Sequence, residues 1–170
     1  MQSRRILVVE DFEGFRRFVR SLLLAAEIRV ELASDGFEGV QKAEEIQPDL
    51  ILLDIGLPNL NGMEVARRVR KLVPAAKIVF LSAESDADLV SEALSLSEGY
   101  IHKQRAQSDL LPALEAVFGG GRFVSPNLGP SARTDTPAAT TFPCCSDDWL
   151  HQKSLRAESE ASQRQEPKLR

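Results

Sequence analysis

Asp54 stands at the end of the apolar run Leu50-Ile51-Leu52-Leu53, where a carboxylate is costly to bury unless its charge is used. Two other apolar runs also end on polar groups: Ile6-Leu7-Val8-Val9 runs into Glu10-Asp11, and Ile78-Val79-Phe80-Leu81 runs into Ser82. A fourth short run, Tyr100-Ile101-His102, leads to Lys103. Three carboxylates, a hydroxyl and an ammonium at strand ends suit a site that holds a metal ion and a phosphoryl group. Mg²⁺ takes about six hard oxygen ligands and keeps several waters, so Glu10, Asp11 and Asp54 make a usual protein share. The cation offsets the mutual repulsion of crowded carboxylates. Asp54 can then attack phosphorus as an ionised nucleophile, with Lys103 compensating the charge of the transferring group. Ser82 can donate a hydrogen bond to a phosphoryl oxygen once one is attached.

Taken singly, most of these residues read more plainly. Glu10-Asp11 alone is a solvated loop, Ser82 a helix cap and Lys103 a surface lysine. Asp54 resists such a reading, because structural burial of a carboxylate needs several hydrogen-bond donors. Their order at successive strand ends outweighs the separate readings. His102 alternates away from the Lys103 side and is expected at the surface. Tyr100 reads equally as a half-buried core tyrosine or as a switch, and both stay open.

The elements that position these groups alternate between strand and helix. Phe15, Phe18, Val19, Leu22 and Leu23 recur at helical spacing, with Arg16, Arg17 and Arg20 on the other face. Ile28, Val30 and Leu32 alternate as in a half-exposed strand. Ser34 or Asp35 can cap a helix carrying Phe37, Val40, Ala43 and Ile46, which ends before Pro48. Asn61 caps a helix over 63–72 with Met63, Val65, Ala66 and Val69 inward. Leu89, Val90, Ala93, Leu94 and Leu96 form another, and a last helix spans 108–118 before Gly119-Gly120-Gly121. Such alternation predicts an α/β fold, a doubly wound five-stranded parallel sheet with helices on both faces. Ligands of such sheets bind beyond the carboxyl ends of the strands, where the strand order reverses, and the polar residues above all fall there.

The 170 residues carry a net charge of −4, which gives no electrostatic case for nucleic acid. The 43% hydrophobic content is concentrated before about residue 125. A domain at 1–125 is therefore expected, followed over 126–170 by a polar, disordered tail broken by Pro126, Pro130, Pro137 and Pro143. The neighbouring Cys144 and Cys145 are expected as idle reduced thiols. The first apolar run is too short for a signal-peptide core or a membrane span, so a cytoplasmic, membrane-independent chain is expected.

Residues 4 to 125 resemble the receiver domains of two-component response regulators. The resemblance rests on Val8-Val9-Glu10-Asp11, Asp54 with Pro58 and Gly62, Leu81-Ser82-Ala83, and Gly99-Tyr100-Ile101-His102-Lys103. The stretch from Asp109 to Val117, followed by Arg122-Phe123-Val124-Ser125-Pro126, is similar to the nitrate- and nitrogen-fixation-regulator subfamily. The resemblance implies a flavodoxin-like receiver fold in which Asp54 accepts phosphate from a sensor histidine kinase or phosphotransfer protein. It implies Mg²⁺ held by Asp11 and Asp54, with Glu10 acting through water and the Gly56 carbonyl as a further ligand. It also implies Lys103 against the phosphoryl group and Ser82 with Tyr100 as the switch pair. Such a chain is not an enzyme, although it takes part in its own phosphorylation and dephosphorylation. A downstream protein target is implied too, with a homodimer on phosphorylation left open.

Three departures stand out. Gln104 follows the lysine where the family often has a cis-proline. Ser97-Glu98-Gly99 is one residue shorter than usual and lacks the customary Gly-Ala. No helix-turn-helix pattern follows Pro126, so no DNA binding is expected. The leading expectation is a single-domain receiver in a phosphorelay; the alternative is a transcription-factor-type regulator that has lost its DNA-binding effector. An aspartyl-phosphate hydrolase of the haloacid-dehalogenase type would need a second carboxylate where Gly56 stands, which counts against it.

Overall fold

The computed structural model describes residues 4–126. The expectations for the tail, including Cys144 and Cys145, lie outside the described residues. Within them the chain alternates as β1 (Arg5–Val9), α1 (Glu13–Ala25), β2 (Arg29–Ala33), α2 (Gly36–Ile46), β3 (Leu50–Asp54) and α3 (Gly62–Leu72). It continues through β4 (Lys77–Ser82), α4 (Ala87–Leu96), β5 (Gly99–His102), a 3-10 turn at Lys103–Arg105, α5 (Ala106–Phe118) and β6 (Phe123–Val124). The sheet is parallel throughout, in the order β2-β1-β3-β4-β5-β6. β6, a two-residue strand beside β5, is an addition to the five strands anticipated.

Period-two alternation divides the core between the two faces of the sheet. Leu7, Val9, Ile51, Leu53, Ile78 and Phe80 face α2, α3 and α4, which bring Ala43, Val65, Ala66, Val69 and Ala93. Ile6, Val8, Leu50, Leu52, Val79 and Leu81 face α1 and α5, which bring Phe15, Val19, Leu23, Leu110 and Val117. With both faces covered, the central strands are continuously apolar, as buried parallel strands must be. Each such side chain contributes about 1.5–3 kcal/mol of transfer free energy. Replacing one of them by a polar group would bury that group without a partner, at a cost of about 1–3 kcal/mol.

The helix starts use local polar side chains. Asp35, Asn61 and Asp86 accept main-chain bonds from Glu38, Glu64 and Leu89 at 2.9, 2.9 and 3.0 Å. Two helical expectations are corrected. α5 begins at Ala106 rather than 108, because the Lys103–Arg105 turn feeds directly into it. Phe37 does not pack inward but is 56% exposed. α2 instead approaches the sheet through its small residues: a Cβ at Gly39 would stand 2.8 Å from Val9 Cγ1. That close contact sets the helix phase and turns Phe37 to solvent.

Glu38 closes the first turn of α2. Its Oε2 accepts from the Ser34 amide at 2.7 Å and the Ser34 hydroxyl at 2.8 Å, and Oε1 lies 2.8 Å from Lys42 Nζ. The Lys42 bond and then the Ser34 amide bond lower the Glu38 pKa to about 2. A folded-state value below the unfolded value of roughly 4.3 gives a stability contribution that is complete above that pH. The contribution disappears as pH falls towards about 2. The stability difference between wild type and Glu38→Gln, followed by urea unfolding, should therefore shrink steadily between about pH 5 and pH 2. A difference independent of pH across that window would show that Glu38 is not held as described.

Candidate functional site

Strand register brings the polar ends together. Val9 pairs with Leu53, so Glu10 follows β1 beside Asp54, the last residue of β3. Asp54 pairs with Leu81, and Ser82 pairs with His102, the residue before Lys103. β1 lies between β2 and β3, so the strand order reverses between β1 and β3, where the acidic groups meet. The close seat of α3 supports Asp54 from behind: a Cβ at Gly62 would stand 2.1 Å from the Asp54 carbonyl oxygen. Only glycine fits there without displacing the strand end.

Carboxylate oxygens of Glu10, Asp11 and Asp54 lie within 4.8 Å of one another, with Glu10 and Asp54 buried. Such crowding of hard oxygen donors can hold a metal ion. Lys103, 3% exposed, places Nζ 2.6 Å from Glu10 Oε2 and 3.1 Å from Asp54 Oδ2. The same nitrogen lies 4.9 Å from the centre of the Phe15 ring, whose face favours a cation. Glu10 Oε1 accepts from the Phe12 amide at 3.1 Å, and Asp54 Oδ1 from the Gly56 amide at 3.2 Å. These main-chain bonds fix the rotation of both carboxylates.

Ser82 and Tyr100 converge on the main chain of Glu84, in the turn between β4 and α4. The Ser82 Oγ accepts from the Glu84 amide at 3.2 Å, and the Tyr100 hydroxyl donates to the Glu84 carbonyl at 2.8 Å. Tyr100 is fully buried at 0% exposure rather than half-buried. Burial raises the pKa of its phenol, with Glu84 and Asp54 adding to the effect and Ser82 opposing it. His102 is also corrected: it is half-buried, with Nε2 3.0 Å from the Ala83 carbonyl and Nδ1 accepting weakly from the Gln104 amide at 3.4 Å.

Other residues support the site without a local sequence signal. Arg16, assigned to an outer helix face, turns back to donate through Nη1 to the Glu10 carbonyl at 2.6 Å and more weakly to that of Asp11 at 3.3 Å. Only its position six residues after Glu10, within reach of a first-turn side chain, could have suggested this. The short exit from α4 is held by Arg70, which donates to both Glu98 oxygens at 2.6 and 2.7 Å and to the Leu96 carbonyl at 3.1 Å. Glu98 in turn accepts from the Ile78 amide at 2.7 Å.

Known proteins resemble this chain in sequence and fold. The family described as response regulator receiver domain matches residues 6–115. The transcriptional regulatory protein DegU of Brevibacillus brevis is 32% identical over 128 residues, 73% of this chain and 54% of the relative. The nitrate/nitrite response regulator protein NarL of Escherichia coli K12 is 34% identical, covering 74% of this chain and 59% of that protein. The chain thus spans a little over half the length of the curated relatives it matches. A crystal structure of a LuxR-family two-component response regulator from Aurantimonas sp. SI85-9A1 superposes with a TM-score of 0.70 at 28% identity. That match covers 75% of this chain and 93% of the other.

Lys103 is the cation that compensates two buried carboxylates. Breaking a buried pair by removing one partner leaves uncompensated charge and typically costs about 3–5 kcal/mol. Lys103→Met should destabilise the metal-free protein by roughly that amount in urea unfolding. A loss below about 1 kcal/mol, the range of exposed pairs, would show that water screens the cluster.

Proposed function

Because the chain belongs to the response regulator receiver domain family, we propose that Asp54 accepts a phosphoryl group and so switches a protein-interaction surface. The observation that supports this most is the Asp54 carboxylate itself. It is buried at the switch point of the sheet, 3.1 Å from Lys103 Nζ and grouped with Glu10 and Asp11. In this reading the donor is a phosphohistidine on a sensor histidine kinase or phosphotransfer protein. An Asp54 oxygen bonds to phosphorus as the nitrogen–phosphorus bond breaks, and the donor imidazole departs with the electron pair. Mg²⁺ bound by Asp11, Asp54 and the Gly56 carbonyl, with Glu10 through water, would supply charge compensation at the phosphoryl oxygens.

The chain's own residues orient and stabilise. Lys103 is already directed at Asp54 and adds positive charge where the phosphoryl oxygens gather. The Ser82 hydroxyl accepts from the Glu84 amide, and a hydroxyl that accepts one bond can still donate one to a phosphoryl oxygen. Drawing Ser82 towards Asp54 pulls on the Glu84 turn that Tyr100 holds by its carbonyl. Ser82 and Tyr100 thus act as a pair through Glu84, and the surface around α4, β5 and α5 is the output. Phosphorylation shifts this equilibrium only by as much as it favours one arrangement. The chain acts as phosphoacceptor rather than as a turnover enzyme, while contributing to its own phosphorylation and dephosphorylation.

The receiver is assigned to 1–125 and its location to the cytoplasm. Among the described residues no helix is long and apolar enough to cross a membrane. The partners proposed are a kinase or phosphotransfer protein and a downstream protein target, with a homodimer on phosphorylation as a further arrangement. The transcription-factor-type alternative draws its support from relatives such as DegU, which is named a transcriptional regulatory protein. The net charge of −4 supports an output through protein rather than DNA.

Acetyl phosphate with Mg²⁺ should label the wild-type chain, and Asp54→Asn should abolish the label. Persistence at the wild-type level would remove Asp54 as acceptor. Asp11→Ala should weaken Mg²⁺ binding on the order of tenfold or more in titration calorimetry. An unchanged titration would place the metal elsewhere.

A further inference from the structure

Gln104 occupies the position after the lysine, and no peptide bond among the described residues is cis. The turn that carries Lys103 is therefore shaped by other means. At its upstream end the His102 amide donates to Ser125 Oγ at 3.2 Å. The Ser125 hydroxyl donates in turn to Asp109 Oδ2 at 2.6 Å. At the downstream end Arg105 grips the same carboxylate, with Nε 2.9 Å from Oδ2 and Nη2 3.1 Å from Oδ1. Ser108 Oγ lies a further 2.7 Å from Oδ1. Asp109 and Ser125 are 5% and 2% exposed. Ser125 is itself fixed, since its amide donates to the Tyr100 carbonyl at 2.9 Å.

We propose that Asp109 and Ser125 are positioning residues for Lys103, clamping both ends of the Lys103–Arg105 turn through one buried carboxylate. The inference rests on the reading that Lys103 contacts a phosphoryl group on Asp54. Chemically, the serine accepts one bond and donates one, and the carboxylate accepts from the serine, the guanidinium and Ser108. The Ser125–Asp109 bond is the buried centre of this network, where polar groups must be satisfied, while Arg105 and Ser108 reach it from exposed positions. Burial alone would raise the Asp109 pKa, but the Arg105, Ser125 and Ser108 bonds outweigh it and lower the value. The carboxylate is thus a fixed charge at neutral pH. The bonds of this network meet the chain at His102 and Arg105, on either side of Lys103, rather than at the carboxylates, and Lys103 Nζ is its link to Glu10 and Asp54.

That separation supplies the test. Full-length wild type, Ser125→Ala, Asp109→Asn and Ser125→Thr are titrated with Mg²⁺, then with beryllofluoride in saturating Mg²⁺, and labelled with acetyl phosphate. Ser125→Ala and Asp109→Asn should lose on the order of tenfold in beryllofluoride affinity and labelling rate, because a small misplacement of a charged contact is costly. Mg²⁺ affinity, which the lysine affects through its charge beside Glu10 and Asp54, should change several-fold less than beryllofluoride affinity, and Ser125→Thr, which keeps the hydroxyl, should restore wild-type behaviour. Equal losses of Mg²⁺ and beryllofluoride affinity would mean general loosening and overturn the positioning role. So would unchanged beryllofluoride binding in the folded variants, with Ser125→Ala alone deciding if Asp109→Asn does not fold. A wild type that takes neither label nor beryllofluoride would instead overturn the phosphoacceptor reading, and this inference with it.

Discussion

The contact of Lys103 with Glu10 and Asp54 is the interaction around which the rest of the molecule is arranged. All three groups are buried, and charges removed from water are tolerated only with close partners and main-chain hydrogen bonds. The parallel register of β1, β3, β4 and β5 delivers the two carboxylates and the ammonium to one edge. Gly62 lets α3 back against the Asp54 carbonyl, and Arg16 ties the Glu10 carbonyl to α1. The Phe12 and Gly56 amides leave neither carboxylate to rotate at will. An arrangement this constrained has little slack, so a change of charge at Asp54 must be met by movement of neighbouring groups.

Much of this was legible in the residues, and the reason is geometric. A polar group that ends an apolar run is a one-dimensional signal, and Glu10, Asp54, Ser82 and Lys103 each carry it. Asn61 is legible as a cap, and Asp35 as one of two candidates with Ser34, because capping acts over three residues. Phe37 was misplaced because periodicity counts hydrophobic side chains, whereas the phase of α2 is set by glycine contact with Val9. Alternation puts His102 at the surface because it says which side a side chain leaves from, not that the Ala83 carbonyl waits there. The sixth strand is two residues long, too short to carry a period.

The departures from the family pattern show how distant residues replace a local device. The short Ser97-Glu98-Gly99 connection lacks the customary Gly-Ala, yet Glu98 accepts from Arg70 and from the Ile78 amide, 28 and 20 positions away. Ser97 bonds back to the Ala93 carbonyl at 2.9 Å, and Arg122 donates to the Ser97 carbonyl at 2.7 Å and to that of Leu94. After Lys103 the pairing of Asp109 with Ser125 spans sixteen positions. Such contacts are set by the fold and leave no trace in local spacing.

These contacts also distinguish the two ends of α4. Its C-terminal carbonyls are held by Arg70 from α3 and Arg122 from the approach to β6, a double anchor on the partial negative charge of the helix end. Its N-terminal end follows the turn at Ala83 and Glu84, held on the side of the site by the bonds of Ser82 and Tyr100 to the main chain of Glu84 and by His102 against the Ala83 carbonyl. In the proposed switch, a pull on Ser82 acts on the end of α4 nearer the site, away from the end that Arg70 and Arg122 hold. β6 lies on the anchored side, with the Phe123 amide on the Glu98 carbonyl and the Ser125 amide on that of Tyr100. In that proposed switch it would serve as the frame for the N-terminal end of α4, and the Tyr100 strand is the element the two sides share.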